Sequence, residues 1–321
     1  MTLEIFYKLL AIMGAIGLGW WALRQGWLAR DGAGGDAAQV LGNVALYVFI
    51  PALLFRTMVR QDLAALPLRT LAAYFVPALL FLLSVYGGYR SRQPRPGAEP
   101  ATRAIAASYG NGVQLGIPMA AALFGEAGLA LHIALVSLHS LVMLTTLTVL
   151  VEADLARGSA ATGAWQTLQT TLRNTLFHPV LMPVLLGLVW NLTGLGLHPA
   201  ADHLLQMLGL AVVPLSLVLI GATLASYGMQ GQLRSAFGVV VLKLLVMPAV
   251  VLMVAHLAFG LHGTPLAVLV MMAALPAGSN ALIFAQRYKT LRAEASMAIV
   301  VSTLAFMASA ALWLAVLSWV G

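Results

Sequence analysis

Two apolar segments of the sequence contain Gly, Pro and amide side chains where a membrane-spanning helix would otherwise be continuous. The first reads SYGNGVQLGIPM over residues 108–119, and the second reads ALPAGSNALIFA over residues 274–285. Glycine and proline weaken helices, and a broken helix frees backbone amides that can bind an anionic ligand together with nearby amide side chains. The candidate substrate-binding residues are therefore Asn111, Gly112, Gln114, Pro118, Pro276, Ser279 and Asn280.

A break inside a membrane is costly, and this cost makes the two segments informative. An unsatisfied backbone amide costs several kcal/mol in hydrocarbon, so a break is tolerated only where protein or a water-filled cavity supplies partners. Each break begins a new half-helix, whose N-terminal end carries about +0.5 elementary charge and favours an anion. Helix kinking or close packing explains either break alone equally well, but the matched pair with amide side chains favours a binding site.

Ionisable side chains inside the predicted spans are the next candidates. Lys243 in VVVLKLLVMPAV is the one basic residue well inside a span, where it is predicted either to attract substrate or to extend to the inner interface. His132 and His139 are seven residues apart and share one helix face. Imidazole can carry a coupling proton, with hydrogen-bonded packing as the alternative. We take His139 and Lys243 as candidates for proton coupling or charge.

No catalytic pattern accompanies these residues. The sequence contains no Cys, which excludes disulfides, thiol catalysis and cysteine-ligated metals. It has no HExxH, Walker or EF-hand pattern, and no serine with an evident base. We therefore expect no enzyme activity, no cofactor and no metal, with a membrane-embedded enzyme as the weaker alternative.

The elements that must position the candidates are membrane helices. The chain of 321 residues is 61% hydrophobic and 8% charged, with a mean hydropathy of +0.94, whereas about 25% of residues are charged in a typical soluble domain. Apolar runs of about 20 residues recur along it, each long enough to cross a lipid bilayer. We predict an all-α membrane protein with ten spans, at about residues 3–23, 38–58, 68–89, 102–124, 127–150, 174–194, 203–226, 233–259, 264–286 and 294–319.

The distribution of charge predicts the orientation of these spans. Most of the 17 Lys and Arg residues fall in loops on one side, while Lys8, Arg56, Arg60 and Arg69 fall on the other. Because basic loops face the cytoplasm, we expect an inner-membrane protein with both termini outside the cytoplasm. The same loops account for the net charge of +7 without a nucleic-acid partner. All ten Asp and Glu residues lie in loops or at span ends, so none repels an anion at mid-membrane.

The spans divide into two sets of five around a longer connection. We predict a first repeat over residues 1–151, a cytoplasmic linker over 152–172 and a second repeat over 173–321. An odd number of spans inverts the second copy in the membrane. In support, ALVSLHSLVMLTTLTVL from Ala134 resembles IVVSTLAFMASAALWLAVL from Ile299. An interfacial helix and a plain loop remain equal alternatives for the linker.

The order of the short motifs resembles the auxin efflux carrier family over nearly the whole chain. GNVALYVFIPALLF carries that family's Asn and Pro at Asn43 and Pro51, and NGVQLGIPM matches its Asn-x-x-x-x-Gly-Ile-Pro pattern from Asn111. The resemblance implies two inverted five-helix repeats with crossed, broken fourth and ninth helices, as in the related bile acid sodium symporters. It further implies that Pro118 and Pro276 mark the crossover, that Asn111 contacts substrate, and that a homodimer forms.

Site and resemblance together predict the function. We expect a secondary active or uniport transporter of small organic anions, such as malonate, malate or auxin-like acids, that works by alternating access. A sodium-coupled symporter and a non-transporting membrane sensor with a transporter fold are the alternatives. The absence of carboxylates inside the spans favours proton coupling or uniport over sodium coupling.

Overall fold

The computed structural model describes residues 3–28, 37–60, 68–93, 97–156, 169, 181–227, 233–278 and 280–320. These residues form helices and short connections, without a β-strand among them, as predicted for an all-α protein. Candidate Ser279 and most of the predicted linker over 152–172 lie outside the described residues.

Several helices are long and apolar enough to cross a bilayer, as expected of a multi-pass membrane protein. Six such stretches occur in the described part of the chain, namely Val40–Arg60, Leu68–Arg90, Gly112–Val151, Pro199–Ala222, Leu233–Ala258 and Arg292–Val320. Shorter apolar helices lie at Leu10–Arg24, Met182–Leu192 and Gly263–Ala274. The division into ten spans stays a prediction.

The helices of the first half frame the first break. In order they are α1 Leu3–Arg24, α2 Ala37–Val44, α3 Ile50–Arg60, α4 Leu68–Arg90, α5 Glu99–Ser108 and α6 Ile117–Ala156. A π-helical turn, Ala45–Phe49, joins α2 to α3, and a second, Gly112–Gly116, precedes α6. Gly125 in α6 has φ 65° and ψ −159°, so the chain turns there and α6 comprises two helical parts. This turn coincides with the predicted boundary between the fourth and fifth spans.

The helices of the second half frame the second break. They are α7 Leu181–Leu192, α8 Pro199–Leu210, α9 Val212–Tyr227, α10 Leu233–Val241, α11 Met247–Met253, α12 Gly263–Ala274, α13 Asn280–Arg287 and α14 Arg292–Val320. A π-helical turn at Leu242–Val246 joins α10 to α11, and another at Val254–Ala258 follows α11.

Proline explains where three of these π-helical turns lie. Pro51, Pro118 and Pro248 each follow the last residue of a π-helical turn by two positions. Proline has no N–H to donate to the carbonyl four residues earlier, which interrupts the regular hydrogen-bond pattern. Pro248 thus leaves the carbonyl of Leu244 without its helical donor, and two side chains of α14 replace it. These are Ser309 Oγ at 3.0 Å and Trp313 Nε1 at 2.8 Å.

Helices α1 and α9 pack backbone to backbone through glycine. A Cβ atom added to Gly19 would lie 1.9 Å from the Val218 carbonyl oxygen, and one added to Gly221 would lie 1.8 Å from the Ile16 carbonyl oxygen. Such contacts exclude any side chain at either position, as is typical of close helix pairs in membranes. α1 and α9 therefore form a tightly joined pair.

Helix α3 packs on α7 and α8 to extend this pair into a first helix group. Asn191 of α7 donates from Nδ2 to the Met58 and Val59 carbonyls at 3.1 and 2.7 Å. At the end of α3, Arg56 Nε lies 2.8 Å from Asp202 Oδ1 of α8. We call α1, α2, α3, α7, α8 and α9 the support group.

The remaining helices pack around the two breaks. Helix α4 contacts α5 and α11, α10 contacts α14, and α12 contacts both α6 and α14. Their shared interior is buried and mostly aliphatic, with Ile105, Leu115, Ile133 and Leu275 all fully buried. We call α4, α5, α6 and α10 to α14 the core group. Helix α9 is the part of the support group that packs on the Gly112–Gly116 turn.

Candidate functional site at two helix breaks

The two interrupted segments pair with each other through their backbones. Helix α5 ends at Ser108 and α12 ends at Ala274, and the extended residues after them run antiparallel, with Gly110 bridged to Ala277. Asn111 N donates to the Pro276 carbonyl at 2.8 Å, and Gly278 N donates to the Tyr109 carbonyl at 2.9 Å. Polar groups that the breaks free are thus satisfied within the protein, as hydrocarbon requires.

Glycine reduces crowding where the two extended segments of this crossing meet. A Cβ atom on Gly278 would lie 3.0 Å from the Gly110 carbonyl oxygen, and one on Gly110 would lie 3.1 Å from Leu275 Cβ. At these distances an added methyl group would be crowded, and its neighbours would have to move by a few tenths of an ångström. The glycines therefore favour the close pairing.

Helix α14 is a third element at the crossing and forms a hydrogen bond with the second break. Ala277 N donates to Ser302 Oγ at 3.0 Å, and Ser302 Oγ in turn donates to the Ile299 carbonyl at 3.2 Å. Ser302 was not among the predicted site residues. Its one available signal in the sequence was the comparison of the two predicted repeats, which aligns Ser302 with Ser137.

The amide side chains predicted to bind substrate surround the start of each second half-helix. Asn111 caps the Gly112–Gly116 turn, because its Oδ1 accepts from Gln114 N at 3.2 Å, and its Nδ2 donates to Gln114 Oε1 at 3.3 Å. Gln114 is exposed and Asn111 is half-buried. Asn280 is the first residue of α13 and is also half-buried. These three amides combine access with proximity to a helix N-terminus.

The other predicted binding residues contribute backbone and shape. Gly112, Pro118 and Pro276 are buried in this structure, and their role in binding substrate stays a prediction. Pro276 supplies the carbonyl that pairs with Asn111. Pro118 follows the π-helical turn at the start of α6. They belong to the crossing, and only Ser279 among the candidates is not described.

Both histidines of α6 lie near the first break, His132 beside Gly112 and His139 beside Tyr109, which agrees with the predicted shared helix face. His132 Nε2 lies 2.8 Å from the Gly112 carbonyl oxygen, and a Cβ atom on Gly116 would lie only 2.5 Å from the same nitrogen. His139 Nδ1 lies 3.3 Å from the Tyr74 hydroxyl. Each histidine is buried, and its other ring nitrogen has no hydrogen-bond partner in the described part of the chain.

Lys243 reaches the crossing from the π-helical turn between α10 and α11. Its Nζ donates to the Ala273 carbonyl at 2.5 Å and lies 3.7 Å from Met247 Sδ. The side chain is fully buried, so the predicted alternative of an ammonium extended to the inner interface is wrong. No carboxylate pairs with it among the described residues.

Three described carboxylates lie away from the breaks and are paired with arginine. Asp202 contacts Arg56 and Arg60, with the Arg60 Nη2 to Asp202 Oδ2 distance at 2.6 Å. On other helices, Arg90 Nε lies 2.7 Å from Asp154 Oδ1, and Arg103 Nε lies 2.8 Å from Glu294 Oε1. These pairs leave the electrostatics of the crossing to amides, helix ends and Lys243.

Asn43 and Pro51, the motif positions of the second predicted span, belong to the support group. They flank the Ala45–Phe49 turn, where Pro51 interrupts the helix. No hydrogen bond joins either residue to the crossing in the described residues. Their role as motif positions stays a prediction.

Comparison with known proteins identifies the family. The membrane transport protein family matches residues 4–314, which is nearly the whole chain. The chain belongs to this family, the auxin efflux carriers. The resemblance seen in the motifs is thereby confirmed, and with it the assignment to membrane transport proteins.

Two relatives agree with the family match. The chain is 28% identical over 291 residues to an uncharacterized transporter of Methanothermobacter thermautotrophicus, covering 88% of this chain and 90% of that protein. It is 25% identical over 284 residues to the uncharacterized transporter YfdV of Escherichia coli strain K12, covering 87% of this chain and 88% of YfdV. Both names describe a transporter, and neither names a substrate.

Proposed function

We propose that this member of the membrane transport protein family carries small organic anions by alternating access, with the substrate bound at the crossing of the two breaks. The observation that supports the proposal most is the backbone pairing of the breaks through Asn111, Pro276, Tyr109 and Gly278. Paired breaks at mid-membrane are typical of transporter binding sites. Non-helical backbone at this depth is tolerated only where it is buried in protein or lines a water-filled cavity.

The electrostatics of the crossing favour an anion. The turn that begins at Gly112 and helix α13 each start beside the crossing, and helix N-terminal ends carry partial positive charge. Asn111, Gln114 and Asn280 lie at these starts with accessible amides, which can donate to a carboxylate. The carboxylates of Asp154, Asp202 and Glu294 are engaged with arginines elsewhere.

The division into support and core groups fits the proposed motion. The tight glycine contacts of α1 with α9 favour movement of the support group as a unit, while the crossing holds the core group together. Rocking of one group against the other around a fixed site is the usual form of alternating access. In this proposal α9 slides past the Gly112–Gly116 turn.

The proposed topology has ten spans in two inverted repeats, with both termini outside the inner membrane. The ion pairs support it, because each joins residues that this topology places on one side. Arg56, Arg60 and Asp202 fall outside, whereas Arg103 and Glu294 fall inside. A homodimer belongs to the same proposal through the family resemblance.

Energetics give uncoupled transport a direction. With the cell interior negative, each anionic charge that leaves gains about 2.3 kcal/mol per 100 mV. A uniporter of this kind would export carboxylates, and uptake of a dianion would need co-transported cations. We propose no catalytic role, since the Ser108 hydroxyl beside the first break donates to the Ala104 carbonyl at 2.6 Å rather than to a base.

Substitution of Asn111 tests the site. Asn111→Asp keeps an oxygen that can accept from Gln114 N, so the cap and the fold are retained. It removes the amide donor and adds negative charge, so we expect binding of malonate or another small carboxylate to weaken at least tenfold, since a hydrogen bond to a charged group contributes about 1.5–3 kcal/mol. Asn111→Ala should lose binding and also about 1 kcal/mol of capping stability.

The measurement is binding of radiolabelled carboxylates to the purified protein, followed by flux in liposomes. Dicarboxylates, keto acids and indole acids form the ligand panel. Gln206→Ala is the matched control, because Gln206 is an exposed amide of α8 in the support group. Wild-type carboxylate affinity in Asn111→Asp would refute the proposed site. Saturable flux would separate a carrier from the alternatives of a channel or a sensor.

A further inference from the structure

Lys243 is buried at a point where two helices end. Helix α12 ends at Ala274, and the Lys243 Nζ atom donates to the carbonyl of Ala273, the residue before that end. A Cβ atom added to Gly110, which follows the end of α5, would lie 3.5 Å from the same Nζ. The ammonium group therefore donates to the second segment of the crossing and lies close to the first.

The C-terminal end of a helix is where backbone carbonyls stabilise a cation most. The last four carbonyls of a helix have no intrahelical donor, and together they carry about −0.5 elementary charge. Both α5 and α12 direct this end toward the crossing. In hydrocarbon the carbonyls need a positively charged or hydrogen-bonding partner, because no bulk water reaches them.

A transporter with two such ends at its centre has two ways to neutralise them. One is a free cation such as sodium, which binds carbonyl oxygens and is then a co-substrate. The other is a cation attached to the chain. In the described residues Lys243 has no carboxylate partner that would neutralise it, so its charge remains available to the helix ends.

We propose that the Lys243 ammonium is the resident cation of the crossing and occupies the position that a coupling sodium ion would otherwise take. The carbonyl oxygen of Ala273, a ligand that sodium would need, is already engaged by Nζ. Where the proposed transport function holds, on which this clause rests, transport proceeds without sodium because the cation never leaves.

The inference also explains the local fold. Lys243 is the second residue of the π-helical turn Leu242–Val246, and Pro248 lies two residues beyond the end of that turn. Met247 Sδ and the Ala273 carbonyl surround the ammonium. A π-helical turn inside an α-helix is frequently associated with a functional position. Here it allows a buried lysine to reach the end of a different helix.

Thermal unfolding of the purified full-length protein tests the resident cation without any substrate. Melting temperatures are measured in sodium chloride and in choline chloride at equal ionic strength. We expect the wild-type values to be equal in the two salts. Lys243→Met should melt several degrees lower in choline, and sodium should recover part of the loss. Lys289→Met is the control, because Lys289 is exposed and should show neither effect.

Lys243→Gln separates charge from hydrogen bonding, and it serves as the second variant if Lys243→Met does not fold. Its amide can donate to the Ala273 carbonyl but carries no charge, so sodium should stabilise it as well. Stabilisation of the wild type by sodium would overturn the proposal, as would variants that do not respond to sodium. If neither variant folds, the wild-type comparison decides alone.

The same experiment keeps this inference separate from the proposed function. Sodium-insensitive wild type with sodium-responsive variants supports the resident cation even if no anion is transported. Anion flux in liposomes that strictly requires sodium overturns the resident cation while leaving the transport of anions intact.

Discussion

Replacing Ser302 with alanine removes a single oxygen atom and leaves the Ala277 amide without an acceptor. Ser302 is fully buried, and its hydroxyl is the acceptor that α14 presents to the second break. A buried donor left unsatisfied costs about 1–3 kcal/mol. We therefore expect Ser302→Ala to lower the free energy of unfolding by that amount.

Thr303 supplies a control on the same helix turn. Its Oγ1 donates to the Ile299 carbonyl at 2.7 Å, the same acceptor that Ser302 uses, but no hydrogen bond joins the hydroxyl to the described residues of the break. Thr303→Val removes this donor and leaves no break amide unpaired. The expected cost in unfolding free energy is about 1 kcal/mol or less, because the net value of one hydrogen bond is small.

Two measurements separate these variants. Titration with sodium dodecyl sulfate in mixed micelles gives the free energy of unfolding, and radiolabelled malonate binding gives the affinity. If the Ala277 amide orders the crossing, Ser302→Ala should also weaken malonate binding. A cost of about 1–3 kcal/mol corresponds to a roughly 5- to 150-fold loss of affinity, which is the largest loss expected. Thr303→Val should keep wild-type affinity. Equal losses of affinity in the two variants would refute a role of Ser302 in the break.

Glycine substitutions test the helix contacts on either side of the site. Gly221→Ala should force α9 away from α1 and lower the melting temperature by several degrees, while Gly14→Ala, which meets no atom within 4 Å, should be neutral or slightly stabilising. Gly116→Ala should displace the His132 ring and weaken carboxylate binding, whereas Gly42→Ala, also free of neighbours, should not. Wild-type melting of Gly221→Ala, or wild-type binding by Gly116→Ala, would contradict the packing described.

Local sequence signals located the breaks well. Gly, Asn and Pro in SYGNGVQLGIPM and ALPAGSNALIFA interrupt α5 and α12 where the pattern predicted an interruption. The turn at Gly125 likewise falls between the predicted fourth and fifth spans. Backbone chemistry acts over a few residues, so a single sequence is enough to predict it.

These local signals could not predict contacts between segments that are distant in the sequence. Lys243 donates to a carbonyl 30 residues later in the chain, and any backbone carbonyl is an equally good acceptor as far as sequence is concerned. The sequence left open whether the ammonium of this lysine faced substrate or the inner interface. The same reason hid Ser302, since a serine in an apolar helix usually bonds to its own backbone.

The loss of a backbone donor at proline is a rule that points to three of the π-helical turns from sequence. Pro51, Pro118 and Pro248 were each visible in the sequence, and each removes a donor inside a helix. The carbonyl that Pro248 frees, that of Leu244, accepts from Ser309 and Trp313. Searching for polar side chains that can satisfy such carbonyls would have directed attention to α14 before the structure.

Charge at the crossing follows a single physical scheme. The N-terminal ends of the second half-helices lie beside accessible amides at Asn111 and Asn280, which suits an anion that enters and leaves. The C-terminal ends of α5 and α12 lie beside the buried Lys243, which suits a cation that stays. Because the two kinds of helix end are separated by only a few residues of extended backbone, an anion bound as proposed would be electrostatically linked to the ammonium. If the proposed function holds, Lys243→Gln should therefore weaken the binding of radiolabelled malonate, even though Lys243 is fully buried.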